Sequence, residues 1–210
     1  MSAAGSEDRS GAETGASVGA RPEGTSDRFD AVFSAAPRAW FLPEGARERA
    51  SHDGPILIGH EQTCSQPRTV RDMLALLEVQ PGQRVLDVGS GSGWTTALLA
   101  ELVGPHGRVR GVEIEPDLVA WGATNLTQGP WPWASIEQAR PDAVGLPEHG
   151  PYNRILVSAE AREIPADLLE QLADDARMVL PVCGTMTLVE RAGGADEVTE
   201  HGSYRFVPLR

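Results

Sequence analysis

The sequence is short of several things, and each shortage removes a class of protein. Only two of its 210 residues are cysteine, Cys64 and Cys183, and they stand in unlike surroundings. The paired framework that staples small secreted domains is therefore excluded, and a reducing compartment is the simplest setting. Basic runs are missing as well: 18 Lys and Arg face 30 Asp and Glu, a formal net charge of -12. A surface that neutralises phosphates needs clustered cations, so a nucleic-acid partner is not expected, and an anionic membrane surface is disfavoured too. No apolar stretch approaches the length that spans a bilayer. The first residues carry Glu7, Asp8 and Glu13 where a secretory signal would be apolar. The five histidines, His52, His60, His106, His149 and His201, lack the paired spacing of metal sites, and no metal is expected. A soluble, cytoplasmic protein is the expectation from these shortages, and it is expected to act as a monomer.

What is present is the balance of a globular domain, 40% hydrophobic and 23% charged. Residues 1–28 are rich in Gly, Ala, Ser and acids and hold too little apolar area to offset the entropy of ordering. They are read as a disordered tail, with residues 29–210 as one domain. Within it, Val70, Met73, Leu74 and Leu77 recur at helical spacing and predict a helix over 67–79, with Pro67 in its first turn. A strand is predicted over 84–88, then glycines and a helix over 95–103. The unit repeats as strand 109–114 with helix 116–126, and as strand 154–158 with helix 165–173. Such alternation predicts an α/β fold with a doubly wound, mostly parallel sheet. The last third changes character: runs at 178–182, 185–190 and 204–207 have only turns between them, which predicts antiparallel strands at the C-terminal edge.

Gly89, Gly91 and Gly93 follow the first strand of the alternating part, where a glycine turn lets a ligand approach the backbone. The dinucleotide fingerprint asks for a third glycine where this chain has Trp94, so a nicotinamide cofactor is disfavoured. S-adenosylmethionine (SAM) suits the pattern better. It needs a backbone groove, helix-terminal N–H groups for a carboxylate, and an acid for its ribose hydroxyls. Glu113, ending the next strand, fits the last role. Glycine is also common in tight strand–helix turns that bind nothing.

Val85-Leu86-Asp87-Val88-Gly89-Ser90-Gly91-Ser92-Gly93 resembles motif I of class I methyltransferases. Ile58-Gly59-His60-Glu61-Gln62-Thr63-Cys64-Ser65-Gln66-Pro67 is narrower, being similar to the loop just upstream of that motif in protein-L-isoaspartate O-methyltransferases. Arg38-Ala39-Trp40-Phe41-Leu42-Pro43, Pro151-Tyr152-Asn153-Arg154-Ile155-Leu156-Val157 with Ser158-Ala159, Glu163-Ile164-Pro165 and Arg205-Phe206-Val207-Pro208-Leu209 support the same family. The resemblance implies methyl transfer from SAM to the α-carboxylate of an L-isoaspartyl residue in a damaged protein or peptide. The ester then closes to a succinimide, whose hydrolysis returns part of the population to aspartate. It further implies that Ser65 is the catalytic serine, and that Gln62, Thr63, Asp87, Gly89, Gly91, Gly93, Glu113, Ile114, Asp142 and Ala143 hold the cofactor. A carboxylate is already ionised at neutral pH, so Ser65 is needed to orient an oxygen and not to attack. Taken without the resemblance, Ser65 also stands where a helix cap would. Cys64 is read as a small buried residue and the tryptophans as packing.

The chain departs from the family pattern at several places. Where relatives carry Gly-Asp-Gly after the fourth strand, it reads Ala139-Arg140-Pro141-Asp142-Ala143-Val144-Gly145. Glu61 stands for a common glycine and Glu160 interrupts an alanine-rich stretch, two carboxylates expected to oppose an anionic substrate. The chain stops at Arg210, where relatives commonly continue. Three readings follow: an isoaspartyl repair enzyme; a methyltransferase for an Asp of one dedicated peptide, giving an aspartimide; and a catalytically silent SAM-fold module.

Overall fold

A computed structural model describes the backbone of residues 23–210 and the side chains from Arg28 onward. Residues 1–22, most of the expected tail, lie outside the described residues. Helix α1 (Glu23–Ala35) begins before the composition-based boundary at residue 28, because Phe29 and Val32 are buried and anchor a helix that then propagates toward its N-terminus.

The centre of the molecule is β3 (Arg84–Val88), buried from Val85 to Val88 as expected of a strand covered on both faces. Parallel neighbours β4 (Arg108–Glu113) and β6 (Tyr152–Val157) flank it. With β5 (Ala134–Gln138), β7 (Leu172–Val182), β8 (Thr185–Ala192) and β9 (Ala195–Ser203) they form one sheet of order β5-β4-β3-β6-β7-β8-β9. The β7–β8 and β8–β9 pairs are antiparallel and the rest parallel, as the sequence predicts. The chain steps outward from β3 to β5, then returns to the other side of β3. Loops leaving β3 and β4 therefore part company with those leaving β6, which opens a crevice at the carboxyl ends of these strands.

Alternate residues of β3 feed opposite faces. Val85 joins a cluster with Leu98 and Leu99 of α3 (Trp94–Val103) and Leu74 and Leu77 of α2 (Pro67–Leu77). Leu86 joins one with Ile155, Leu146 and Leu168 of the short α5 (Ala166–Glu170). A fully buried side chain such as Leu86 contributes about 1.5–3 kcal/mol. Helix α4 (Pro116–Leu126) completes the layers beside β5. A separate antiparallel hairpin, β1 (Ile56–Gly59) with β2 (Gln62–Cys64), precedes α2.

Some elements differ from expectation. Helix α2 ends at Leu77, where Glu78 turns left-handed at φ 48°. The predicted helix over 165–173 is only α5, because Leu172 and Ala173 already belong to β7, which is much longer than the predicted 178–182. The last strand is not 204–207 but β9; its polar sequence ADEVTEHGS lacks alternation because most of its residues are exposed. Residues 204–207 instead leave the sheet and cross toward the crevice.

Candidate active site

A cavity of about 1300 Å³ opens at the carboxyl ends of β3, β4 and β6. Three segments meet there: the residues leaving β2, the glycine turn after β3, and the final segment 203–210. Of the residues implied to hold cofactor or substrate, Gln62, Thr63, Ser65, Gly89, Gly91, Glu113, Ile114, Asp142 and Ala143 line it. Asp87 and Gly93 do not. Gly93 is consumed by packing, since its φ of +91° begins α3 and a Cβ there would lie 3.1 Å from the Gly122 carbonyl oxygen.

Asp87 stands behind the wall, wholly buried on β3. Its Oδ2 accepts hydrogen bonds from the hydroxyls of Thr95 (2.8 Å) and Thr96 (2.6 Å), while Oδ1 has no partner. Burial pushes its carboxyl up to about 6, with the charge of Glu113 adding to the rise and the two hydroxyls opposing it. A second buried polar atom, the Ser158 hydroxyl at the end of β6, also lacks a partner and lies on a residue that lines the cavity. Gly89 packs directly on this residue, with the Ser158 carbonyl carbon 3.7 Å from where its Cβ would be. Of the two unmet groups only Ser158 belongs to the cavity wall, where a polar ligand could complete it.

Glu113 is nearly buried, and its carboxylate organises the turn. Oε2 accepts from the N–H of Gly91 (2.8 Å), and Oε1 from the N–H groups of Ile114 (2.7 Å) and Glu115 (3.0 Å). A carboxylate offers about four acceptor positions, so a place remains for a ligand hydroxyl. Asp142 sits on the rim, highly exposed and gripped by Arg140 at 3.1 and 3.2 Å; that guanidinium holds its carboxyl below the usual range. The loop behind it is fixed by Gln171, whose amide accepts from the Leu146 N–H and donates to the carbonyls of Val144 and Asp167. Gly145 (φ +90°) lets the Gln171 amide come this close.

Ser65 lines the cavity and does not cap α2. The cap position is Gln66, without a side-chain cap bond, and the helix start is served across the chain by Asp53, whose Oδ1 accepts from the Arg68 N–H (3.0 Å). That bond holds the Asp53 carboxyl below its ordinary value. Cys64, the next residue back, is buried as expected, and burial pushes its thiol up. Neither Glu61 nor Glu160 lines the cavity. Glu61 occupies the hairpin tip at φ 59°, and the Glu160 backbone is engaged with the final segment, its N–H donating to Val207 and its carbonyl accepting from Leu209. The expected opposition of these two carboxylates to an anion is thus not seated in the wall.

Sequence reasoning gave no role to the groups that hold these segments together. Arg38 is buried behind the Ser65 loop and bonds its backbone. His60 reaches from the hairpin tip to Glu115 (3.6 Å) and Asp117 (3.3 Å), and Arg210 reaches the same Glu115 (2.9 Å). Arg38, Ser158 and residues 205–209 lay inside the quoted motifs, which was the only sequence signal for them. Among the described residues no group of three or more His, Cys, Asp or Glu could hold a metal ion, and no helix is long and apolar enough to cross a membrane.

A seven-stranded sheet of this order, with its cavity beside a glycine turn and a strand-end acid, defines a class I SAM-dependent methyltransferase fold. A Plasmodium falciparum protein described as a protein-L-isoaspartate O-methyltransferase, crystallised with S-adenosyl-L-homocysteine, superposes with a TM-score of 0.77 at 24% identity, covering 88% of this chain and 90% of that one. The family model for protein-L-isoaspartate(D-aspartate) O-methyltransferase matches residues 20–210. The protein-L-isoaspartate O-methyltransferase of Aeropyrum pernix is 44% identical over 172 residues, 80% of this chain and 66% of that protein, so this chain spans about two thirds of that relative's length. The one from Methanococcoides burtonii is 38% identical over 195 residues, covering 90% and 95%. This chain belongs to the protein-L-isoaspartate(D-aspartate) O-methyltransferase family.

Proposed function

We propose that this chain methylates the α-carboxylate of L-isoaspartyl residues in damaged proteins or peptides, using SAM, and so serves protein repair. The observation that carries the reading is the meeting, in one cavity, of the Gln62–Gln66 loop, the Gly89–Gly91 turn and Glu113. When bound, SAM supplies the methyl group: a carboxylate oxygen forms the new O–C bond as the sulfonium S–C bond breaks, anion and cation are both discharged, and no proton moves.

The chain's own residues bind and orient. Glu113 would accept from the ribose hydroxyls, while the backbone of Gly89 and Gly91, with Gln62, Thr63 and Ile114, would line the groove for the methionine end and ribose. Asp87 would act from behind the turn, and Gly93 by fixing its shape. Asp142 and Ala143 on the rim would meet adenine. Ser65 would donate to the substrate carboxylate and hold one oxygen in line with the methyl, which is catalysis by positioning. The cavity's lining residues come from this one chain, which supports taking the protein as a monomer. A net charge of -12 supports a protein or peptide substrate over nucleic acid. Two cysteines in unlike places, one buried and one in a turn, support the cytoplasm.

The test is transfer of labelled methyl from SAM to an L-isoaspartyl peptide, with its Asp counterpart as control and the Ser65→Ala variant alongside. Transfer to only the isoaspartyl peptide, reduced at least ten-fold in kcat for the variant with SAM affinity kept, is the expected result. SAM binding without transfer to isoaspartyl peptides of unrelated sequence would overturn general repair.

A further inference from the structure

Arg38 carries a positive charge that the fold buries with no carboxylate in contact; the exposed Asp53 feels that charge but gives its Oδ1 to the Arg68 N–H. It is 5% exposed, and among the described residues it makes no ion pair. Its guanidinium faces five backbone carbonyls instead: Nη1 donates to Ala50 (3.4 Å) and His52 (2.8 Å), the two N–H groups of Nη2 are shared among Gly54 (2.8 Å), Cys64 (2.9 Å) and Ser65 (2.8 Å), and Nε has no partner. The guanidinium carbon lies 5.3 Å from the Trp94 ring centroid, which closes its other side with an apolar wall. A buried charge is costly unless its surroundings answer it, and carbonyl dipoles answer it only in part.

Two of those five carbonyls belong to the loop that lines the cavity. In a planar trans peptide the C=O and the following N–H point in opposite directions. Drawing the carbonyls of Cys64 and Ser65 onto Arg38 therefore turns the N–H groups of Ser65 and Gln66 away from it. Both residues line the cavity, and among the described residues neither N–H has an acceptor. The arrangement is a pair of adjacent backbone donors, with the Ser65 hydroxyl beside them and a fixed cation behind.

We infer that Arg38 is a positioning residue for the substrate carboxylate: by gripping the carbonyls of Cys64 and Ser65 it presents the N–H groups of Ser65 and Gln66 to the anion, whose charge answers its own. The neighbouring Cys64 thiol is not the missing anion, because burial disfavours its thiolate. The effect belongs to the carboxylate and not to the cofactor, whose Glu113 and glycine-turn contacts Arg38 does not touch. This inference rests on the activity proposed above.

The test uses the full chain, Arg38→Gln and Arg38→Lys, with S-adenosyl-L-homocysteine affinity by calorimetry and methyl transfer to an isoaspartyl peptide. For Arg38→Gln the expected result is S-adenosyl-L-homocysteine affinity within about two-fold and KM for the peptide raised about thirty-fold, the scale of losing charge-assisted hydrogen bonds. Arg38→Lys keeps the charge but not the fork, and is expected between the two. An unchanged KM in a folded Arg38→Gln protein overturns the inference; no transfer by the unaltered chain overturns the proposed activity instead. Should Arg38→Gln fail to fold, the unaltered chain still decides. With S-adenosyl-L-homocysteine bound, adding isoaspartyl peptide must shift the backbone amide resonances of Ser65 and Gln66, and unmoved resonances overturn the assignment.

Discussion

Replacing Asp87 by Asn removes a buried charge while keeping the shape of the side chain. In the folded chain the carboxyl is raised to about 6 from its ordinary 3.8, burial being the main cause. A folded value above the unfolded one means that the native state holds the proton more tightly. Stability from this group is therefore present at low pH and is lost as pH rises from the unfolded value through about 6. Ionised at pH 7, Asp87 costs about 3 kcal/mol of stability, and about half of that at pH 5. The Asn carbonyl can still accept from Thr95 and Thr96, but its amide would take the place of Oδ1, which has no partner, and an unmet donor returns about 1 kcal/mol of the gain. The ligand-free variant is thus expected to be about 1–2 kcal/mol more stable at pH 7, a melting temperature higher by about 3–6 °C, with the advantage shrinking toward pH 5. Calorimetric melting of both proteins across that range measures it. A variant that is less stable at pH 7, or a difference that does not change with pH, would refute the reasoning.

Two further outcomes follow from the same wall. Glu113→Ala leaves the N–H groups of Gly91, Ile114 and Glu115 without their acceptor and removes the ribose partner; calorimetry should show S-adenosyl-L-homocysteine affinity lower by at least ten-fold, and melting a stability loss of about 1–3 kcal/mol. Gly145→Ala places a Cβ 2.6 Å from the Gln171 side-chain oxygen at a φ of +90°, which should cost about 1–3 kcal/mol in thermal melting and loosen the loop that carries Asp142.

The parallel core was legible because buried strands are continuous apolar runs and their crossover helices are periodic; β3 and α4 fall where residues 84–88 and 116–126 predicted them. Strand β5 was not seen, for its sequence ASIEQ is only partly buried and shows no run. Strand β9 was missed for the same reason at the exposed edge. The candidate site was legible where chemistry dictates residue type: Gly89, Gly91 and Glu113 line the cavity. It was not legible where a residue acts through the backbone of another. Arg38 touches five carbonyls, and carbonyls carry no sequence signature. Asp53 capping α2 from fifteen residues away is invisible to cap rules that look one turn back.

The final segment gives the cavity a property that its chemistry does not require. Residues 203–210 form one wall, bonded to Glu160 and, through Arg210, to Glu115, two residues beyond Glu113. A ligand that touches this segment is therefore thermodynamically linked to its docking: it holds the segment down, and detaching the segment weakens its binding by the same factor. The wall of the cavity is in that sense shared between the glycine turn and residues more than a hundred positions further along the chain.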